Sequence, residues 1–207
     1  APDDAGNLFF KAISSRDEIG KIDGSGNLLW QKEMPYTHES GSMSISNSGI
    51  VTIAGEFLGK IDFDPGPGTC MLESEEARNS VYVLNLDQEG NFLWAGIARG
   101  GSNPRADHDA DGNLLLAGYF TDSMHIHMND TEESMVSDEE YPCIFLLRLD
   151  QAGNLLSFRS QTLQTPGAYT GTKLMTLSAD NETYIVSGIL EEEDPYQCAN
   201  TMAFVSR

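Results

Sequence analysis

Asp107-His108-Asp109-Ala110-Asp111-Gly112 is the run whose residue types and spacing come closest to a ligating arrangement. Carboxylates at alternating positions, followed by a glycine that permits a sharp turn, are what wraps a hard cation such as calcium in oxygens. The run then breaks off. The place of a later bidentate carboxylate falls among Leu114 to Gly118, all apolar or small, and the matching stretches elsewhere are Ser44 to Gly49 and Thr176 to Asn181. An ordinary turn between strands is the plainer reading, with calcium at Asp107, Asp109 and Asp111 as the alternative; no other cofactor is implied. His125 and His127 sit two apart, a spacing that puts two imidazoles on one face of an extended segment and suits a transition metal such as zinc. A third ligand is not evident, since His108 is far away in sequence and Cys143 is the other nearby soft donor. Signatures of catalysis are missing: there is no Gly-x-Ser-x-Gly elbow, no His-Glu-x-x-His pair and no phosphate loop. Carboxylate pairs abound in so acidic a chain, so none singles itself out for glycosidase chemistry. The expectation is a protein that is not an enzyme.

The elements that carry these residues must suit 207 residues of 40% hydrophobic content, enough for a real core and read as a single domain, 1–207. With 32 acidic against 12 basic side chains and a net charge of −20, nucleic acid and anionic membrane surfaces are poor partners. Basic or cation-bearing proteins are better ones. No stretch approaches the roughly 20 apolar residues that cross a bilayer, and Ala1-Pro2-Asp3-Asp4 lacks the order of a signal peptide, so export would imply a signal already removed. Cys70, Cys143 and Cys198 have no metal-type spacing and read as isolated small apolar residues. Oligomeric state is not legible.

Internal repetition decides the fold class. Asp-x-x-Gly-Asn followed by two apolar residues occurs at Asp23 to Leu29, Asp87 to Leu93 and Asp150 to Leu156, so Asn27, Asn91 and Asn154 are 64 and 63 residues apart. A second marker, a short apolar run ending in glycine, places Gly55, Gly118 and Gly188 at intervals of 63 and 70. Each unit reads as four short strands. In the second, an inner strand near Gly41 to Ser46 turns at Asn47-Ser48-Gly49 into Ile50 to Phe57, and a long loop follows. Val81 to Leu86 is rich in Val, Tyr and Leu, as suits a strand buried on both faces. Asp87 to Asn91 is a bulged hairpin turn in which glycine supplies positive φ, and Phe92 to Ile97 is the fourth strand. Short strands with turn signals about every 8 to 12 residues point to a radially repeated antiparallel sheet. Low helix content is expected, because no segment carries a 3.6-residue apolar period.

The unit resembles the blade of a bacterial secreted β-propeller repeat family, in which Asp-Phe-Asp-Pro-Gly-Pro-Gly-Thr precedes a strand ending in Leu-Asp, then x-x-Gly-Asn and an aromatic strand. Asp62 to Thr69, Leu86-Asp87, Gly90-Asn91 and Trp94 carry the resemblance. In the third unit His125 and His127 stand at the places of Asp62 and Asp64 and the Pro-Gly tract is gone. The last unit, around Glu191 to Ala203, has lost it too. The resemblance implies an all-β protein, a β-propeller of four-stranded antiparallel blades, and a secreted, periplasmic or cell-surface location in a bacterium. It implies no activity.

The ends leave alternatives. Gly6 to Phe10 is either the strand before Ile19 to Asp23 or a fourth strand like Asn91 to Trp94, and Arg207 aligns with Asn85 and Arg148. About three and a half blades result, either a small four-bladed ring or a fragment of a larger propeller. The small ring is the preferred reading, with Asp3-x-x-Gly6-Asn7 supplying the hairpin continuation that Arg207 lacks.

The acids cluster. Glu73, Glu75 and Glu76 precede Val81; Asp130, Glu132, Glu133, Asp138, Glu139 and Glu140 precede Ile144; Glu191, Glu192, Glu193 and Asp194 precede Met202. These loops occupy the same place in their units, so radial repetition brings them to one face. Solvated loops that keep the protein soluble are one reading. The functional one is an acidic docking face with Met135, Tyr141, Pro142, Pro195 and Tyr196 as apolar anchors between the charges. A non-enzymatic, exported protein-interaction module follows, inhibition of a secreted hydrolase by loop insertion being one form. The alternative is a carbohydrate- or surface-binding structural or adhesin module. Trp30 and Trp94 speak weakly against sugar, because both hold a matching strand position that core packing explains.

Overall fold

The computed structural model describes residues 3, 5–12, 17–34, 37–75, 78–137, 143–162, 176–179, 184–190 and 200–206, with side chains described except at 38–40 and from 176 onward. Strands and turns, with no helix, make up these residues. The all-β expectation is met and every strand pairing is antiparallel, but the described strands form sheets of three, eight, three and two strands and not separate four-stranded blades, because β9 pairs on both edges and joins two units into one sheet.

Tight turns set the architecture. At Asp3–Asn7, Asp23–Asn27, Ser46–Ile50, Asp87–Asn91, Asp109–Asn113 and Asp150–Asn154 the first residue's N–H donates to the fifth residue's carbonyl, and the fourth residue's N–H donates to the first carbonyl. The fourth residue is always glycine and always has positive φ, between 75° and 88°, which a side chain would strain. Where the turn opens with Asp, one carboxylate oxygen accepts backbone N–H groups two and four residues on, and the carboxylate also accepts the Asn side-chain amide. The Asp-x-x-Gly-Asn pattern is therefore a self-contained hydrogen-bonding unit.

These turns join strands into repeating sets. β1 (Leu8–Ala12), β2 (Asp17–Ile22) and β3 (Leu28–Met34) form one sheet. β4 (His38–Ile45), β5 (Val51–Phe57), β6 (Lys60–Asp62), β7 (Met71–Glu73) and β8 (Ser80–Leu86) follow, then β9 (Phe92–His108), β10 (Leu114–Met128), β11 (Thr131–Val136), β12 (Cys143–Leu149) and β13 (Leu155–Thr162). β14 (Thr176–Ala179), β15 (Tyr184–Leu190) and β16 (Asn200–Ser206) form a last sheet. The central sheet runs β13-β12-β10-β9-β8-β5-β4 with β11 beside β10, and β6 pairs β7 separately. Equivalent pairs recur: Leu8 opposite Ile22, Val51 opposite Leu86, Leu114 opposite Leu149, Tyr184 opposite Ser206.

The glycine marker has a packing cause. Gly55 lies opposite Tyr82, and Gly118 opposite Phe145. A Cβ on either glycine would come within 2.7 Å or less of the partner's ring. The ring folds over the bare backbone, so glycine is required there.

β9 departs from the expected strand, which ended at Ile97. The strand continues through Gly100, Gly101 and Pro104 to His108. Gly100 (φ 81°) and Asn103 (φ 50°) absorb the irregularities, and Pro104 lies where the β9–β10 register shifts. The N-terminal half of β9 thus pairs with β8 as the last strand of one set, while its C-terminal half pairs with β10 as the first strand of the next.

Strand alternation sends side chains to two cores. One gathers Phe9, Ile19 and Met34 from the first set with Val51, Ile53, Phe57, Tyr82, Leu84 and Leu86 from the second. The other gathers Ala54, Val81, Val83 and Ala98 from the second with Leu114, Leu116, Phe120, Phe145 and Leu147 from the third. β8 is buried along its whole length, as its composition suggested.

Two readings of the ends are decided. β1 pairs β2, so Leu8–Ala12 is the strand before β2, and the Asp3–Asn7 turn takes the place of Ser46–Ile50 and Asp109–Asn113. It is not a continuation for Arg207. Because Ser206 stands opposite Tyr184 as Leu149 stands opposite Leu114, the residue in register with Arg148 is Val205, two before Arg207.

Candidate functional site

The segments between second and third strands, read as long loops, contain hairpins. In the second set the mouth closes by Ser74 N–H donating to the Gly59 carbonyl, and in the third by Ser137 N–H donating to the Asp122 carbonyl. Gly59 and Asp122 both have positive φ, 90° and 65°. Both mouth pairs lie 63 residues apart, the spacing that separates Gly55 from Gly118. The first hairpin, β6–β7, is short and ends in the Asp62 to Cys70 loop. There Asp62 Oδ1 accepts the N–H groups of Asp64 and Cys70, and Asp64 Oδ1 accepts that of Gly66. Phe63 between them is fully buried against Phe57 and Tyr82. The Asp-Phe-Asp-Pro-Gly tract therefore plugs a core and folds its own loop.

The second hairpin is longer. β10 has a register irregularity between Phe120 and His125 and continues antiparallel along β9, so that His125, Ile126 and His127 pair with Arg99, Ala98 and Ile97, while β11 pairs on its other side. Arg99 joins the two hairpins: its Nε donates to the Glu73 carbonyl at 3.0 Å, and its backbone lies opposite His125. Arg99, His125, Ile126, His127, Glu132, Glu133 and Ser134 line a groove of about 290 Å³. His125 Nδ1 lies 2.8 Å from Ser134 Oγ and His127 Nδ1 3.0 Å from Glu132 Oε1.

Of the acidic-face residues, Glu73 is exposed at the end of β7, where Lys60 lies 3.7 Å away, and Glu75 is half-buried after it. Asp130, Glu132 and Glu133 lie on or beside β11, a strand and not a loop. Met135, read as an anchor, instead packs against the second core, and its neighbour Val136 is 73% exposed. Leu58 and Met71 are exposed beside Glu73 in the first hairpin. Met135 and Val136 differ because alternate residues of β11 face opposite sides of the strand, a period that the acidic residues around them mask in the sequence. Glu76, Asp138, Glu139, Glu140, Tyr141, Pro142, Glu191, Glu192, Glu193, Asp194, Pro195 and Tyr196 lie outside the described residues.

The calcium candidates are held by protein. Asp109 is buried, accepts from Asp111 N–H and from Asn113, and receives Arg148 Nε at 2.8 Å and a guanidinium nitrogen at 2.7 Å on Oδ2. Burial pushes this carboxyl up, but the bonds from Asn113 and Arg148 outweigh it and leave the pKa lowered. Asp111 lies 3.6 Å from the same Arg148, and Asp107 Oδ1 accepts the His108 N–H. Among the described residues no three His, Cys, Asp or Glu side chains converge as a metal site.

His108, read as part of that run, belongs to a buried network. Its Nε2 is 3.1 Å from Thr52 Oγ1 and its Nδ1 3.2 Å from Ser44 Oγ, while Thr52 Oγ1 donates to Asn85 Oδ1. Burial pushes the imidazole pKa down to about 4, against the opposing pull of Asp107 and Asp109. Since Thr52 gives its proton to Asn85, His108 Nε2–H donates to Thr52 and Nδ1 accepts from Ser44. Cys70 and Cys143 are free thiols, and burial together with the charges of Asp62 and Asp64 raises the Cys70 pKa.

No protein-family model matches this chain, and no curated protein matches it.

Proposed function

We propose that the chain is a non-enzymatic repeat protein of the β-propeller type, exported by a bacterium, that docks a basic or cation-bearing protein with the hairpins between its second and third strands. The carrying observation is the recurrence of hairpin mouths at Gly59–Ser74 and Asp122–Ser137, in consecutive sets and at equal register. Two acid-bearing hairpins then present exposed Leu58, Met71 and Val136, while Leu8, Leu28, Leu29, Leu93 and Leu156 are the other exposed large apolar side chains among the described residues. Exposed apolar groups within a charged rim are how such surfaces combine affinity with steering.

The propeller reading is supported by β9 passing from the last place of one set to the first place of the next, and by β4 and β14 both lying against β9. Cores between successive sets fit it too. Against a sugar-binding module stands the use of both tryptophans: Trp30 Nε1 donates to the Gln88 carbonyl and Trp94 Nε1 to that of Gln151, so neither offers an uncommitted platform.

The test is affinity capture from envelope and secreted proteins along a salt gradient, with the native chain and a chain carrying Glu73→Lys, Glu75→Lys, Glu139→Lys and Glu140→Lys as parallel baits. A protein held by the native bait, released at moderate salt and lost by the reversed bait is expected. Equal retention by both baits, or none by either, would overturn the acidic-face reading.

A further inference from the structure

We infer that His125 and His127 form a two-imidazole chelate for a divalent transition-metal ion, binding through their Nε2 atoms with Ser134 and Glu132 holding the rings. Along this arm burial alternates strictly. Met124, Ile126 and Met128 are buried, whereas His125 and His127 are exposed, so both imidazoles share one outward face at the roughly 7 Å spacing of alternate strand residues. The strand is clamped between β9 and β11, and the ring positions are therefore set before any ion arrives.

The Nδ1 contacts decide which atom is left to bind. An ionised carboxylate only accepts hydrogen bonds, so the contact of His127 Nδ1 with Glu132 Oε1 at 3.0 Å puts the ring proton on Nδ1 and the lone pair on Nε2. The Ser134 hydroxyl, 2.8 Å from His125 Nδ1, can accept in the same way. A histidine whose other nitrogen donates to a carboxylate or hydroxyl is the arrangement that orients and strengthens metal-binding imidazoles. Among the described residues neither Nε2 has a hydrogen-bond partner. Arg99, the cation in this groove, is drawn to the Glu73 carbonyl, and Glu132 and Glu133 outweigh its charge. Two nitrogen donors suit copper, nickel or zinc and leave positions for water or for a third ligand from a partner. This assignment does not rest on the docking reading.

The experiment titrates Zn²⁺ alone into the full chain near pH 7.5, with thiols reduced, by calorimetry. About one ion per chain is expected, with affinity falling about tenfold or more in His125→Ala and in His127→Ala and less in Glu132→Gln. Cu²⁺ should bind more tightly, and its paramagnetic resonance spectrum should carry coupling from two nitrogens. Absence of binding at millimolar Zn²⁺, unchanged affinity in either histidine variant, or coupling from fewer than two nitrogens would overturn the inference. Should a variant fail to fold by circular dichroism, acylation of His125 and His127 in the native chain decides: protection by Zn²⁺ supports the chelate, and equal modification with and without the ion removes it.

Discussion

At the scale of single residues, the aspartates that open the repeated turns are spent on holding the backbone. Asp3, Asp23, Asp87, Asp109 and Asp150 each organise a turn, and the carboxyl of Asp3, bonded by Asn7 and Lys21, is lowered to about 2. Asp109 adds an ion pair with Arg148, whose removal would leave a buried carboxylate without its cation. His108 has the clearest pH consequence. Its folded pKa of about 4 lies below the ordinary 6.5, so between those values the unfolded chain binds a proton that the folded chain refuses. The contribution is whole above about pH 6.5 and is lost as pH falls toward 4, at up to about 1.4 kcal/mol per pH unit for this one proton. Thermal melting across that range should show the decline, and His108→Gln should flatten it; an equally steep decline in the variant would remove His108 as the cause.

Elements are locked to each other by a repeated contact. Trp30 covers Gly90 and Trp94 covers Gly153, each indole donating to a carbonyl of the same turn in the next set. The turn glycine thus serves two needs: positive φ, and a surface bare enough for the ring. A Cβ on Gly153 would stand 2.9 Å from the Trp94 ring. Trp94→Ala is expected to cost about 2 kcal/mol and Gly153→Ala about 1.5 kcal/mol in urea unfolding. The double variant should cost about 1 kcal/mol less than the sum, because removing the indole relieves the collision and leaves backbone strain alone. Full additivity would show that the two do not meet. In the third set Ser157 stands at the tryptophan's place, so this contact does not recur there.

For the whole molecule, the charge of −20 sets the dominant long-range term. Ion pairs such as Lys60 with Glu73 and Arg78 with Asp122 are exposed and contribute little, whereas Asp109 with Arg148 and Asp3 with Lys21 are shielded from salt by burial. Screening should therefore relieve repulsion more than it weakens attraction. Raising salt from about 0.01 M to about 0.15 M is expected to raise the melting temperature by a few degrees, measured by calorimetry. A fall would mean that surface pairs, not net repulsion, dominate.

What the sequence by itself determined is local. The turns were legible because carboxylate, glycine and asparagine interact within five consecutive residues, and β5 and β8 were legible because composition reports burial directly. The repeat period of 63 to 64 residues follows from those same markers. Tertiary structure decided whatever depends on residues that meet across a repeat. The fourth strand was expected to end at Ile97, but pairing on both edges carries β9 through Gly100 and Pro104 to His108. Met135 turns inward and Val136 outward because β11 is registered on β10, and His108 is neutral because Ser44 and Thr52, 64 and 56 residues away, enclose it. Propensity and turn chemistry act along the chain; burial, and with it the titration of a group or the availability of a nitrogen to a metal, is settled by what the fold brings from elsewhere.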